Sequence, residues 1–221
     1  MKTKLILLFI LTIFFAFSFS ISAQEEESRD VLEVLFKGGL AIPDGGIKNW
    51  NDGVDAKTGW NFGVDIGYFY KENLVIGFKF LYQQMSINTD RLSDNSLQNS
   101  KHRLYSPNLY IKYIKISESR WEPYVSGHLG VENAKFTSEV TNSIQNRYRA
   151  LSFGPAFSYG LSAGIFYWNS DYSGLFLEGT FHGASTNSVT ASYSGNNYNF
   201  DTNLRTFDIN IGIRFLFSTG E

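Results

Sequence analysis

The feature that most constrains this chain is a strict alternation of side chains in residues 206–217, TFDINIGIRFLF. Every second residue is large and apolar, namely Phe207, Ile209, Ile211, Ile213, Phe215 and Phe217. The residues between them are polar or small, apart from Leu216. A period of two predicts a β-strand with one apolar and one polar face. The environment of the apolar face, either a protein interior or a lipid bilayer, then decides what kind of protein this is.

Seven further segments show the same period and raise the number of predicted strands to eight. They are residues 32–40, 60–70, 74–83, 105–114, 123–136, 157–167 and 175–182. The connections alternate in length, and the long ones cover about residues 42–59, 84–104, 137–156 and 186–203. The short ones cover residues 71–73, 115–122 and 169–174. In an up-and-down barrel this places all long loops at one rim, as in outer-membrane barrels, which also have an even number of strands.

The first 23 residues are predicted to be a secretory signal peptide. Lys2 and Lys4 precede an apolar run from Leu5 to Ile21, and Ala23 supplies a small residue for cleavage. A retained transmembrane anchor is the alternative, because the run is just long enough to span a bilayer. We expect residues 24–30 to be an acidic periplasmic tail, residues 31–217 to form the barrel, and residues 218–221 to be a C-terminal tail.

The composition excludes several classes of protein. Helical periodicity is absent after residue 30 and the mean hydropathy is −0.17, which does not fit a membrane protein made of helices. A membrane barrel is compatible with both, because half of every strand faces a polar interior. The chain has no Cys, so it is neither a disulfide-stapled domain nor a lipoprotein acylated on Cys. Its net charge of −2 offers no basic surface for nucleic acid, and no nucleic-acid partner is expected.

The sequence favours lipid over a protein core around the apolar faces. The polar faces carry small residues that suit a narrow barrel interior, among them Gly63, Gly67, Ser158, Gly160, Ser162, Gly164 and Gly212. Aromatic residues cluster near both strand ends, as in the girdles of membrane barrels: Trp60, Phe62, Tyr82, Tyr105 and Phe157 at one rim, and Tyr68, Tyr70, Tyr113, Tyr167 and Phe217 at the other. The predicted fold is therefore all-β, an eight-stranded antiparallel up-and-down transmembrane β-barrel. A secreted lipocalin-like ligand-binding barrel, with its apolar face inward, is the alternative.

Two segments resemble the small OmpA/OmpX-like outer-membrane β-barrel family. EPYVSGHLGVENAKF (122–136) is similar to a Pro-Tyr-Val-Gly-Gly-rich strand of those barrels, and FDINIGIRFLF (207–217) is similar to their assembly signal. Four residues follow Phe217, whereas in the family none follow the last Phe. The resemblance implies a Gram-negative outer membrane, contact with its lipid and lipopolysaccharide, and insertion by the barrel assembly machinery.

The residues opposite the apolar set should point into the barrel, and nine of them are charged. They are Glu33, Lys37, Asp65, Lys79, Lys112, Glu132, Glu178, Asp208 and Arg214. Eight strands leave an interior that side chains fill, so we expect a salt-bridged plug. A narrow ion path lined by the same groups is the alternative. If the first and last strands pair, Glu33 and Arg214 should meet, and Asp65 is a predicted partner for both Lys37 and Lys79.

Three histidines are candidates for catalysis. His128 and His182 should lie inside the barrel, whereas His102 is placed in a loop. Some eight-stranded outer-membrane barrels of the kind that this chain resembles are lipid A-modifying enzymes. The deacylase among them has a His-x-Ser motif that this chain lacks. A hydrolase needs a base within hydrogen-bond reach of its nucleophile and a carboxylate that orients the base, and the interior histidines beside Ser126 or Glu178 could form such an arrangement by chance. We expect histidines satisfied within a polar network and no catalytic residues.

The first long loop is a candidate metal site. Asp44, Asn51, Asp52 and Asp55 offer oxygen ligands for calcium. Their spacing does not match an EF-hand, and the same residue types are ordinary turn formers. We therefore expect no metal and no cofactor. The predicted function is non-enzymatic, an envelope-structural role with surface loops that bind or adhere to an unidentified ligand. A small solute channel or a lipid A-modifying barrel enzyme is the alternative.

Overall fold

The computed structural model describes residues 31–45, 55–88, 97–142, 145–185, 189–193, 196–200 and 203–218. Predictions for residues 1–30 and 219–221 lie outside these ranges. Among the described residues, no helix is long and apolar enough to cross a membrane. The strands are β1 (Val31–Gly45), β2 (Asp55–Ala56), β3 (Gly59–Lys71), β4 (Leu74–Asn88), β5 (Leu97–Ile114), β6 (Trp121–Asn142), β7 (Gln145–Trp168), β8 (Ser173–Ser185), β9 (Val189–Tyr193), β10 (Asn196–Phe200) and β11 (Asn203–Ser218).

Eight of these strands form a closed antiparallel barrel, which confirms the predicted fold. The order around the barrel is β1, β3, β4, β5, β6, β7, β8 and β11, and β11 pairs with β1 to close it. Leu35 of β1 lies opposite Arg214 of β11 on one side and opposite Asp65 of β3 on the other. Closure removes the open sheet edges whose backbone groups could not be satisfied in lipid.

The period-two pattern determines which face of each strand points outward. On β11, Ile209, Ile211 and Ile213 are 43, 68 and 45 % exposed, whereas Asp208 and Asn210 are buried. The apolar set therefore forms the outer surface and the polar set fills the interior. This is the reverse of a lipocalin-like barrel, so that alternative was wrong.

Two of the predicted long loops are mostly strand. β4 runs to Asn88 and β5 begins at Leu97, while β6 and β7 extend to Asn142 and from Gln145. The loops predicted at 84–104 and 137–156 were therefore wrong for residues 84–88, 97–104, 137–142 and 145–156, whereas residues 89–96 and 143–144 lie outside the described ranges. The predictions failed because they relied on alternating apolar residues. A strand needs an apolar face only where lipid covers it, whereas in water the backbone hydrogen bonds between strands can continue without one.

The other two predicted long loops also contain strand. β1 continues to Gly45, and β2 lies within the predicted loop 42–59. The predicted loop 186–203 contains the antiparallel hairpin of β9 and β10. At the opposite rim the connections are short, covering residues 72–73, 115–120 and 169–172.

β5, β6 and β7 reach well beyond the thickness of a bilayer. β6 has 22 residues and β7 has 24, whereas a tilted transmembrane strand needs about 9–11. Pairing between these strands continues to Asn142 and Gln145 at the hairpin tip. We call residues 97–104, 134–142 and 145–156 the surface sheet. It is an ordered β-structure at the rim that carries the long connections.

Glycines on the interior face make room for large side chains from other strands. A Cβ on Gly160 would lie 2.3 Å from Cε1 of His128, and a Cβ on Gly164 would lie 2.6 Å from Cζ of Tyr124. The small residues of the polar faces are thus part of the interior packing.

Candidate functional site: a filled and layered barrel interior

The structure places all nine predicted charged residues in the barrel interior, where each is at most 3 % exposed. Nearest the short turns lies the lower cluster, which is centred on Glu33. This carboxylate accepts hydrogen bonds from Arg214 Nε at 2.6 Å, from the Tyr110 hydroxyl at 3.1 Å, and from Lys112 Nζ. Glu33 thus joins β1, β5 and β11, and two cations share one carboxylate.

Aromatic rings surround the two cations of the lower cluster. Arg214 lies over the ring of Phe166 at 4.1 Å and over that of Trp168 at 4.7 Å. Lys112 lies over the rings of Tyr124 and Phe166, each at 5.4 Å. Cation–π contacts of this kind strengthen when water is excluded.

An apolar layer packs around these rings at the short-turn end of the barrel. Its buried members are Leu35, Phe69, Val75, Tyr110, Ile114, Tyr124, Phe166 and Phe176. Sequence reasoning did not identify this layer. The signal that could have found it is an apolar residue in an inward position, as at Leu35, Phe69 and Val75.

The middle cluster lies one step further along the barrel. Lys37 Nζ is 2.9 Å from Asp65 Oδ2 and 3.0 Å from Glu178 Oε1. Lys79 Nζ lies 3.8 Å from the same Asp65 oxygen. Glu178 also accepts a hydrogen bond from the Tyr124 hydroxyl at 3.1 Å. Each ion of the middle cluster therefore has a partner of opposite sign, as desolvated charges require.

The upper cluster contains the histidines. His182 Nε2 lies 2.5 Å from Glu132 Oε2, and His182 Nδ1 lies 3.0 Å from His128 Nε2. The Ser106 hydroxyl donates to Glu132 Oε2 at 3.0 Å and lies 3.3 Å from His182 Nε2. Gln83 Nε2 of β4 donates to Asp208 Oδ2 of β11 at 2.7 Å across the barrel interior.

This serine, histidine and glutamate do not have the geometry of a hydrolase triad. In a triad the carboxylate holds one imidazole nitrogen and the other accepts the serine proton. Here Glu132 and Ser106 share the same nitrogen, His182 Nε2, and His128 occupies the other. A ring nitrogen that donates to Glu132 cannot accept from Ser106, so the cluster is arranged as a hydrogen-bonded network.

The residues that contact His182 are not Ser126 and Glu178, the two considered from sequence. The structure brings Ser106 and Glu132 to His182, whereas Glu178 bonds to Lys37 in the middle cluster. His102, which was placed in a loop, lies on β5 and is buried. The reason is that β5 begins before the outer apolar alternation does, so His102 continues the inward face of the strand.

A second apolar layer closes the interior above the upper cluster. It consists of small and aliphatic side chains, namely Ala41, Ala56, Met85, Ile87, Leu104, Ala134, Ala156, Ala184 and Leu204. These residues come from inward positions at the long-loop ends of the strands. The interior thus has three polar clusters, with apolar side chains packed at each end.

The candidate calcium residues do not form a described site. Asp44 lies on β1 and Asp55 on β2, while Asn51 and Asp52 lie outside the described residues. In the ranges that the structure covers, no three acidic, histidine or cysteine side chains are grouped to hold a metal ion.

The outer surface carries aromatic contacts near both rims. Trp60 and Tyr82 have ring centroids 5.2 Å apart, and Tyr82 and Tyr105 have centroids 5.1 Å apart. At the short-turn rim, Trp121 and Tyr167 are 4.6 Å apart. The six alternating apolar residues of β11, from Phe207 to Phe217, lie on the outward face between these rims.

These features define a class of protein, the small outer-membrane β-barrels, whose fold this chain has. A scan against protein-family models finds no match, and a search of curated proteins finds no similar sequence. Among solved structures, the outer membrane protein OprG from Pseudomonas aeruginosa is similar with a TM-score of 0.59 at 13 % identity, over 89 % of this chain and 100 % of that one.

Two further solved structures have the same fold. Neisserial surface protein A matches with a TM-score of 0.52 at 13 % identity, over 86 % of this chain and 99 % of its own. A major outer membrane protein from Thermus thermophilus matches with a TM-score of 0.52 at 12 % identity, over 84 % of this chain and 99 % of its own. At these identities the likeness concerns the fold.

Proposed function

We propose that this protein is a non-enzymatic outer-membrane protein whose barrel anchors a binding surface and does not conduct. The observation that carries the proposal is the filled interior. Paired charges occupy its middle, and apolar side chains pack at both ends. A pore would need a continuous wet path, whereas Glu33, Lys37, Asp65, Lys112, Glu178 and Arg214 are held in buried ion pairs.

The surface sheet is the part of the chain proposed to bind. Hydrogen-bonded pairing continues in β6 and β7 up to Asn142 and Gln145, far past the aromatic residues of the rim. Ordered strands beyond the membrane support a rigid platform for a protein or glycan ligand, of a kind that the sequence does not identify. Lipid and lipopolysaccharide are the proposed surroundings of the barrel. The barrel assembly machinery is its proposed insertion partner and is proposed to recognise the alternating apolar residues from Phe207 to Phe217.

Conductance tests the closed interior. Purified protein in planar bilayers is expected to show no steady current. A double variant that thins both apolar layers, Met85→Ala with Phe166→Ala, is expected to leak ions because both side chains are fully buried. Phe157→Ala is the matched control, since this ring is 58 % exposed on the outer surface. Steady current through the unmodified protein would contradict the proposal and favour a channel.

Epitope tags test the orientation, in which both mature termini lie in the periplasm. A tag at Asn73 or Ser170, both in short turns, is expected to be labelled only after the outer membrane is permeabilised. A tag near Asn196, at the β9–β10 hairpin, or near Asn95, which lies outside the described residues, is expected to be labelled on intact cells. Labelling of Asn73 on intact cells would show that the orientation is inverted.

A further inference from the structure

Two asparagines flank a glycine on the inner wall of the barrel. Gly39 of β1 lies opposite Asn210 of β11 on one side and opposite Asn61 of β3 on the other. A Cβ on Gly39 would lie 2.7 Å from Oδ1 of Asn210, so this oxygen occupies space that a larger residue would fill. Both asparagines are at most 3 % exposed. The glycine therefore leaves a polar recess in the inner wall.

Asp208 borders the same recess. It lies two residues from Asn210 on the inward face of β11. Its Oδ2 accepts a hydrogen bond from Gln83 Nε2 at 2.7 Å, and Gln83 is in turn the cross-strand partner of Asn61. One glutamine thus connects the side of the recess on β3 and β4 with the side on β11. We call Asn61, Asp208 and Asn210 the oxygen site.

Each residue of the oxygen site has one buried oxygen atom that accepts no hydrogen bond from any described residue. These atoms are Asn61 Oδ1, Asp208 Oδ1 and Asn210 Oδ1. The orientation of Asn61 is fixed, because its Nδ2 donates to the backbone oxygen of Leu40 at 3.2 Å. Buried polar atoms in folded proteins almost always have a partner. Three acceptors around one recess therefore indicate a bound group that carries positive charge.

Asp208 also differs from the other buried carboxylates in its charge environment. No lysine, arginine or histidine of the described ranges lies within ion-pair distance of it, whereas each of the other four has such a partner, namely Glu33, Asp65, Glu132 and Glu178. The buried charged side chains of these ranges comprise five carboxylates and four lysine or arginine cations. One negative charge is therefore left over when the histidines are neutral, and a buried carboxylate without a counter-ion is costly.

The ligands of the oxygen site indicate which kind of cation it would hold. One carboxylate and two amide carbonyls are hard oxygen ligands, and the set contains neither the imidazole nor the thiolate that zinc and copper favour. A monovalent ion would balance the single charge of Asp208. A divalent ion would add a positive charge near Lys37, which is also buried and lies two residues from Gly39 on β1.

We propose that Asn61, Asp208 and Asn210 form an interior binding site for one monovalent cation of the sodium type. The ion takes the three oxygen atoms as ligands and supplies the positive charge that the interior lacks. It lies beside the apolar layer that includes Ala41, the cross-strand partner of Asp208, and stabilises the closed interior. The site does not depend on the membrane orientation or on binding by the surface sheet.

Equilibrium unfolding of the purified full chain in a nonionic detergent tests the site. The protein is refolded and then unfolded with urea in sodium chloride or in choline chloride, at constant pH and ionic strength, so that general screening is equal. One bound ion is expected to lower the unfolding equilibrium constant about tenfold for each tenfold rise in sodium concentration above the dissociation constant. Equal unfolding constants in the two salts at every concentration would overturn the proposal.

Asp208→Asn removes the charge and nearly keeps the shape of the side chain. This variant is expected to lose the dependence on sodium. In choline chloride it should be at least as stable as the unmodified protein, because the unbalanced charge is gone. A purely structural role of Asp208 would instead lower stability equally in both salts, and that result would overturn the site.

Two buried asparagines provide a matched pair of variants. Asn61→Ala removes one proposed ligand and is expected to shift the sodium dependence to about tenfold higher concentration. Asn108→Ala is the control, because the Asn108 amide already donates to the backbone oxygen of Ser106 at 2.9 Å and accepts from the Ser158 hydroxyl at 2.6 Å. The control is expected to lose stability but to keep the sodium dependence. If Asp208→Asn does not fold, equal sodium dependence in these two variants would overturn the site.

Two further arms identify other occupants of the recess. Stabilisation by calcium chloride without any stabilisation by sodium chloride would overturn a monovalent site. Stability that rises as the pH falls, with no response to sodium at any pH, would show that Asp208 binds a proton and would also overturn the proposal. A response to sodium that Asp208→Asn abolishes is the result that supports it.

Discussion

Replacing Glu33 by glutamine is expected to cost about 3–5 kcal/mol of the barrel's free energy of unfolding. The carboxylate is fully buried and accepts hydrogen bonds from Arg214, Lys112 and Tyr110. Glutamine has nearly the same shape but no charge, so two cations would stay buried without their shared counter-ion. Equilibrium unfolding in detergent, followed by heat-modifiable migration or tryptophan fluorescence, measures the loss.

A double-mutant cycle tests the interaction between Glu33 and Arg214 across the closing seam. Arg214→Gln is expected to cost less than Glu33→Gln, because Glu33 keeps Lys112 as a partner. The double variant is expected to lose less than the sum of the two single losses, since residues in one network couple. Strictly additive losses would show that the two side chains do not interact. Glu118→Gln in an exposed turn is the control and should stay within about 0.5 kcal/mol.

The second large effect is expected on the opposite face of the same strand. Ile211→Arg should cost roughly 2–4 kcal/mol, the depth-dependent penalty for a basic residue on the lipid face near the bilayer midplane. Ile211 is 68 % exposed and lies in the middle of β11, opposite Gly38 and Leu177. Phe217→Arg, at the end of the strand, is the control and should cost about 0–1 kcal/mol. Equal losses at the two depths would contradict a bilayer around the barrel.

A substitution at the neighbouring residue, Gly212, is expected to destabilise the barrel for a different reason. A Cβ on Gly212 would lie 2.2 Å from the backbone oxygen of Phe36 and 2.6 Å from the ring of Phe176, so even Gly212→Ala crowds the interior. Spin labels at residues 209, 211 and 213 should report lipid, and labels at 208 and 210 should report a protein interior. The inverse pattern would mean that the two faces have been exchanged.

The alternation of side chains predicted the eight strands, because period two is a local property that each strand carries in its own residues. Which face lies outside was predicted from the small residues on the polar faces and from the aromatic residues near both strand ends. The same alternation explains why Glu33 and Arg214 meet. Both are inward residues near the short-turn ends of strands that must pair if no edge is to stay open in lipid.

Only the tertiary structure showed which side chains meet across strands and how far the strands continue beyond the bilayer. Ser106 and Glu132, rather than Ser126 and Glu178, reach His182 because strand tilt and stagger set the height of each side chain. The register shift between Glu132 and Ala134 changes this stagger locally. The position of Asn61 and Asn210 on either side of Gly39 likewise depends on register. The length of β6 and β7 was missed because a strand in water needs its backbone ladder but not an apolar face.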